Sequence, residues 1–222
     1  MSSAADCDAL QGRLAALRVP RVQVVEACKD LDTSVDVVLV CTKAYDLETV
    51  GQELGGRIRP DTILITFQNG IGNVERLAEA LGGPGRGIVI GGLTYVVATK
   101  IAPGVIHQSG GPKRVAFGPT QPPVPADVWA RLQDIEGRMS RAQIQVKLVE
   151  NVNGELWEKF GSIITFAGFT SATRRTIEPI LREPTAEGLM RRCVASANGA
   201  TVRGSIGTKP PRALPSLRDD AR

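Results

Sequence analysis

Three short segments hold the side chains best suited to chemistry. The first is Val40-Cys41-Thr42-Lys43-Ala44, where an apolar run ends in a lysine. Ligands of open α/β sheets bind outside the carboxyl ends of the strands, so Lys43 is placed to meet a phosphate or a ribose. A solvated loop lysine fits the same letters. The second is Gln68-Asn69-Gly70-Ile71-Gly72. Its glycines permit positive φ and close backbone approach, and the Asn69 amide can both donate and accept. A plain Asn-Gly turn has the same signature. The third is Leu156-Trp157-Glu158-Lys159-Phe160. Steps of three and four from Lys159 reach Ser162, Ile163 and Phe166, a largely apolar helical face. A lysine there is partly desolvated, which lowers its pKa and makes it a better proton donor to a developing alkoxide. A lysine snorkelling from a packed helix is the ordinary alternative.

Other chemistries lack their residues. No strand runs into a G-x-G-x-x-G turn, and the cluster Gly82-Gly83-Pro84-Gly85-Arg86-Gly87 follows a helical pattern and enters a strand, so it reads as a loop. There is no Walker loop, no Gly-x-Ser-x-Gly elbow and no metal-ligand spacing, so no metal is expected. Cys7, Cys28, Cys41 and Cys193 are widely separated and read as reduced thiols. Of the 222 residues, 42% are apolar and 23% charged, with a net charge of +4. That excess is too mild for a nucleic-acid partner, and the aromatics are too scattered for a stacking platform. No apolar run approaches the roughly 18 residues of a membrane span. The opening Met-Ser-Ser-Ala-Ala-Asp lacks the pattern of a signal peptide, so a cytoplasmic protein with no membrane partner is expected.

The elements that must position these segments are legible in the spacing of apolar residues. Residues 22–25, 35–41 (VDVVLVC), 62–67 (TILITF) and 87–90 read as strands, and 46–54 and 71–81 as helices, with Asn73 as a cap. Continuous apolar strands alternating with helices predict βαβ units and a doubly wound sheet. Residues 93–98, 104–108 and 114–117, broken by Pro103, Gly110 and Gly111, predict an antiparallel extension. A helix over 126–142 and a strand over 144–149 follow. Beyond Glu150 two long helices are predicted, over 153–169 and 184–200, and the proline-rich tail 209–222 reads as irregular. A domain boundary is therefore expected near residue 150, with an α/β part over 1–150 and a helical part over 151–222.

Taken together and in order, the three segments resemble ketopantoate reductase (2-dehydropantoate 2-reductase). That family shows V-x-x-K-A at a strand end, then (H/Q)-N-G-x-G, then V-x-H on a strand, then a W-x-K-(L/F) helix. Here these are Val40 to Ala44, Gln68 to Gly72, Val105-Ile106-His107 and Trp157 to Phe160. The resemblance implies an α/β chain with an incomplete Rossmann-like NADP-binding domain, lacking the glycine-rich segment. An all-α domain like that of 6-phosphogluconate dehydrogenase would follow it. It implies NADPH-dependent reduction of a 2-oxo acid to a 2-hydroxy acid. Lys43, Asn69 and the backbone at Ala98 would contact the cofactor, and Lys159 would be the catalytic lysine. Asn69, Lys159 and Ser216, within Pro215-Ser216-Leu217, would meet the substrate, and His107 would be structural. Two asparagines expected to bind substrate are replaced by Ile163 and Ala167, which points to a divergent branch with another 2-oxo acid as substrate. The missing glycine-rich opening, and the missing acidic residue after Ser216, lead one to expect truncation at both ends. A homodimer is the expected assembly. The alternative is a non-catalytic remnant serving as a binding or assembly module.

Overall fold

The computed structural model describes residues 24–30 and 35–204. Its sheet has five strands, β1 (Val37–Val40), β2 (Ile63–Thr66), β3 (Ile88–Ala102), β4 (Val105–Gly118) and β5 (Gln145–Leu148). They lie side by side in chain order. β1, β2 and β3 are parallel, β3 and β4 antiparallel, and β4 and β5 parallel. Helices α1 (Leu47–Gly55), α2 (Asn73–Ala80) and α3 (Ala126–Arg141) complete the α/β part. Helices α4 (Asn153–Thr173), α5 (Ile177–Leu181) and α6 (Pro184–Gly204) follow, with α4 packed against α6.

Both faces of the sheet are covered, as the continuous apolar strands require. On one face Ile63, Ile65, Ile90 and Phe117 pack with Val128, Leu132 and Ile135 of α3. On the other, Val40 and Leu64 pack with Leu47 and Leu54 of α1 and Leu77 of α2. Further along, Leu93 and Ala116 bury Val152, the residue just before α4. Each fully buried side chain of this size contributes roughly 1.5–3 kcal/mol. The small residues mark where backbones meet. A Cβ on Gly118 would lie 2.1 Å from the Val149 carbonyl oxygen.

Three expectations change. The antiparallel extension is one hairpin of two long strands, and Pro103 and Gly104 form its turn instead of interrupting it. Gly104 has φ of 75°, which suits glycine at the third position of the turn Ala102-Pro103-Gly104-Val105, with proline at the second. Register shifts between Tyr95 and Val97 and between Lys100 and Ala102 absorb the irregular letters. Of the strand expected over 22–25, Val24 and Val25 are not in a strand and Val24 is exposed, while 22 and 23 lie outside the described residues. A valine-rich run fits a strand only where a neighbour pairs with it. Asn73 is not a cap, because Gly72, with φ of 78°, holds that position. The tail 209–222 lies outside the described residues.

Candidate functional site

The carboxyl ends of β1 and β2 are joined by one side chain. Past β2, Phe67 continues the ladder by donating its N–H to the Val40 carbonyl at 3.0 Å. Gln68 then turns back, and its Nε2 donates to the same carbonyl at 3.0 Å and to Thr42 Oγ1 at 3.5 Å. The loop after β2 is thereby tied to the loop that carries Lys43. The Val40 carbonyl can only accept, and an amide oxygen turned toward it would be repelled, so the amide of Gln68 is fixed with Nε2 toward β1. Its Oε1 is left buried with no hydrogen-bond partner among the described residues. An unpaired buried acceptor costs on the order of 1–3 kcal/mol.

The Gln68–Gly72 loop is shaped by two residues with left-handed φ, Gly70 at 105° and Gly72 at 78°. Asn73, the first residue of α2, is buried and works backward. Its Nδ2 donates to the carbonyls of Asn69 at 3.3 Å and Gln68 at 3.5 Å. No side chain caps the start of α2. At the opposite wall, Asn151 Oδ1 accepts the N–H of Asn153, and Asn153 Nδ2 donates to the Thr120 carbonyl at 2.8 Å. Between these elements lies a cleft of about 250 Å³. Its apolar walls are Ile71, Val74, Leu156 and Trp157, and its polar positions include Gln68, Asn73 and Asn153. Apolar walls with a few fixed polar groups are the usual makeup of a small-molecule site.

Lys159 sits beside this cleft, one turn beyond Leu156 on α4. Leu156 both lines the cleft and packs on the cluster that holds Tyr95. The half-buried Lys159 ammonium donates to the Thr94 carbonyl at 2.7 Å and lies 5.4 Å from the centre of the Tyr95 ring. Burial lowers the pKa of Lys159. Arg114, opposite Tyr95 in the hairpin, stacks on the same ring at 4.5 Å. Burial, followed by the nearby charge of Glu158, raises the Tyr95 phenol. The Lys159 ammonium is thus held at the junction of the hairpin and α4, beside the Tyr95 ring.

The other expected site residues fall at different distances from this junction. Lys43 is exposed at the end of β1, and its carbonyl accepts the N–H of Asp46. Asn69 is exposed at the mouth of the loop that lines the cleft. Ala98 is exposed on the outer half of β3, opposite Gln108. Four residues beyond Thr94, it is about 13 Å along the strand, so the fold does not bring it to the cleft. Ile163 and Ala167 continue the Lys159 line of α4 as exposed apolar positions. Ser216 lies outside the described residues. His107 is exposed on β4, paired with Thr99. Cys28, Cys41 and Cys193 are free thiols, and no group of potential metal ligands occurs among the described residues. No helix of the described residues is long and apolar enough to cross a membrane.

Sequence reasoning assigned no role to Gln68, Thr94, Tyr95 or Asn153. Gln68 left a signal, as a polar residue directly after an apolar strand. Thr94 left none, since it acts through its carbonyl.

Comparison with known proteins places these features in context. A family model described as ketopantoate reductase PanE/ApbA matches residues 10–122. The uncharacterised oxidoreductase YkpB of Bacillus subtilis is 27% identical over 146 residues, covering 66% of this chain and 46% of the relative. A 2-dehydropantoate 2-reductase of Halobacterium salinarum is 26% identical over 183 residues, covering 77% of this chain and 55% of the relative. The chain thus spans about half the length of these curated relatives. Among solved structures, a 2-dehydropantoate 2-reductase from Geobacter metallireducens aligns with a TM-score of 0.60 at 23% identity, covering 78% of this chain and 62% of that one. That likeness carries the fold: an α/β sheet followed by helices.

Proposed function

Because the chain belongs to the ketopantoate reductase PanE/ApbA family, we propose that it serves NADPH-dependent reduction of a 2-oxo acid to a 2-hydroxy acid, of the 2-dehydropantoate to pantoate type. The observation that carries this reading is the half-buried Lys159 ammonium, held on the Thr94 carbonyl beside the cleft. When bound, the reduced nicotinamide supplies a hydride to C2 of the oxo acid. Lys159 polarises the 2-oxo group and gives its proton to the resulting alkoxide oxygen, so that a hydroxyl forms and a neutral amine remains. Lys43 and Asn69, at the ends of β1 and β2, are the residues that would hold the dinucleotide. The cleft fits such a group: it offers apolar walls that include the Trp157 ring, and open backbone at Gly72. In this reading residues 1–150 hold the cofactor and residues 151–222 the substrate. The apolar positions Ile163 and Ala167 favour an oxo acid with a less polar tail than ketopantoate.

One observation supports the alternative of an assembly module. The outer half of the hairpin exposes Val96, Val97, Ile101 and Ile106. A single titration separates the two readings. The purified chain is titrated with NADPH, following nucleotide fluorescence and its reversal by NADP, and 2-oxo acids are then screened with Lys159→Ala as control. Saturable binding and turnover that the variant lacks support the reductase. A folded chain that binds no nucleotide removes that reading and leaves the assembly module.

A further inference from the structure

We propose that Tyr95 is a positioning residue for Lys159, whose ring holds the ammonium on the Thr94 carbonyl and leaves its other donors for the substrate. The purpose of this contact rests on the reductase reading; the contact itself does not. A lysine stem is long and flexible, so ordering it loses much rotamer freedom. One hydrogen bond to a main-chain carbonyl is a weak tether, and no carboxylate among the described residues is paired with Lys159. The second hold is the Tyr95 ring, whose centre lies 5.4 Å from Nζ. The negative face of an aromatic ring attracts a cation at this range, and more so where water is excluded. Thr94 and Tyr95 are consecutive on β3, so carbonyl and ring meet the ammonium from one short segment. The ring is itself fixed. Tyr95 pairs across the hairpin with Arg114, as Leu93 does with Ala116, and it packs with Leu93, Ala116 and Leu156 where α4 begins. Arg114 stacks on the ring at 4.5 Å. Near the ring α4 brings Glu155 and Glu158, and Glu155 is paired with Lys147 of β5 at 2.8 Å. On α5 Glu178 pairs with Arg182, and on α6 Glu187 pairs with Arg191 at 2.9 Å. Burial alone accounts for the lowered pKa of Lys159, so the ring offsets a desolvation cost and not a charged neighbour. The ammonium has three donors, of which Thr94 takes one.

The test compares the unsubstituted chain with Tyr95→Phe, which keeps the ring face, and Tyr95→Leu, which keeps apolar cover without it. Titration of Lys159 is read with no ligand present, from the pH dependence of its acetylation by trace acetic anhydride, scored on the Lys159 peptide by mass spectrometry. In Tyr95→Leu the midpoint should move to lower pH, giving about threefold more free amine at a pH below it, the worth of a modest cation–π contact. In Tyr95→Phe it should stay where it is. A residue that only filled space would act the other way, because its loss admits water and returns Lys159 toward an ordinary lysine. An upward or absent movement in Tyr95→Leu therefore overturns the inference, as does an equal fall in Tyr95→Phe. Kinetics give a second readout. In Tyr95→Leu kcat should drop about tenfold or more while KM for NADPH holds, and Tyr95→Phe should recover most of it. An unchanged kcat in Tyr95→Leu also overturns the inference. Tyr95 is half-buried, so both variants should fold, and Tyr95→Met carries the same comparison if the leucine variant does not. A chain that binds no nucleotide and turns over no substrate sinks the reductase reading, while the labelling still decides the contact.

Discussion

Lys159 is held by opposing effects. Burial disfavours its charged form, while the Thr94 carbonyl and the face of Tyr95 favour it. The net direction is downward, so the proton is released more readily than from a solvated lysine. If Lys159 is the proton donor, reductase activity should fall as pH rises through a pKa below that of an ordinary lysine, in a kcat/KM profile measured across the alkaline range. Stability runs the other way. Below its folded pKa the ammonium bears the cost of burial, and this cost is relieved as pH rises from the lowered folded pKa toward the unfolded one. Lys159→Met should reduce turnover by about 10²–10⁴-fold with little change in thermal stability. Asn73 acts differently, by fixing the shape of the loop that presents Asn69. Asn73→Ala removes both donations and should cost on the order of 1 kcal/mol in chemical denaturation, with weaker nucleotide binding alongside.

Among the elements, close packing outweighs intrinsic preference. Gly51 lies within α1, where alanine would be favoured by roughly 1 kcal/mol. A Cβ there would meet the Ala80 Cβ at 2.4 Å, where α1 crosses α2. Overpacking of this kind costs about 1–3 kcal/mol. Gly51→Ala should therefore lower the denaturation midpoint; a rise would mean that α1 and α2 part freely. The strands β1 and β2 were legible from continuous apolar runs, and β5 from the alternation of Ile144, Val146 and Leu148 with Gln145 and Lys147. The three helices of the α/β part were legible from helically spaced apolar residues. The hairpin was visible only in pieces. Glycines and prolines in its letters look like breaks, and cross-strand pairing, which a single segment cannot show, decides that the strands continue. The same limit applies to the site. Lys43, Asn69 and Lys159 stand out as residue types. The groups that hold Gln68 and Lys159, at Val40 and Thr94, are main-chain carbonyls, which any residue could supply.

At the scale of the molecule, the boundary drawn near residue 150 is crossed by several bonds. Val152 donates its N–H to the Pro119 carbonyl at 3.0 Å, Asn153 reaches Thr120, and Lys147 pairs with Glu155 at 2.8 Å. Val152 itself is fully buried against Leu93 and Ala116. The composition of the sequence changes at this point, but the chain is not a loose linker there. Limited proteolysis of the native chain should therefore leave residues 149–154 uncut, as mapped by mass spectrometry of the fragments. Val152→Asp should cost about 3 kcal/mol or more, from a buried unpaired charge and lost packing. Early cutting at this segment would show that the two parts swing independently.

The order of the strands bears on how the chain is made. Because β1 to β5 neighbour one another as they follow in sequence, each strand can join an edge already formed as it leaves the ribosome. No later segment has to wedge between two that have already paired. The β3–β4 ribbon, closed by a two-residue turn, pairs locally, whereas the parallel joins wait for a helix between the strands. Pulse-labelled amide exchange during refolding should therefore protect the ribbon amides from Gly92 to Phe117 first and those of β1 and β5 later. Synthesis from the amino end would then build the scaffold outward, adding the segment that bears Lys159 onto a hairpin already standing.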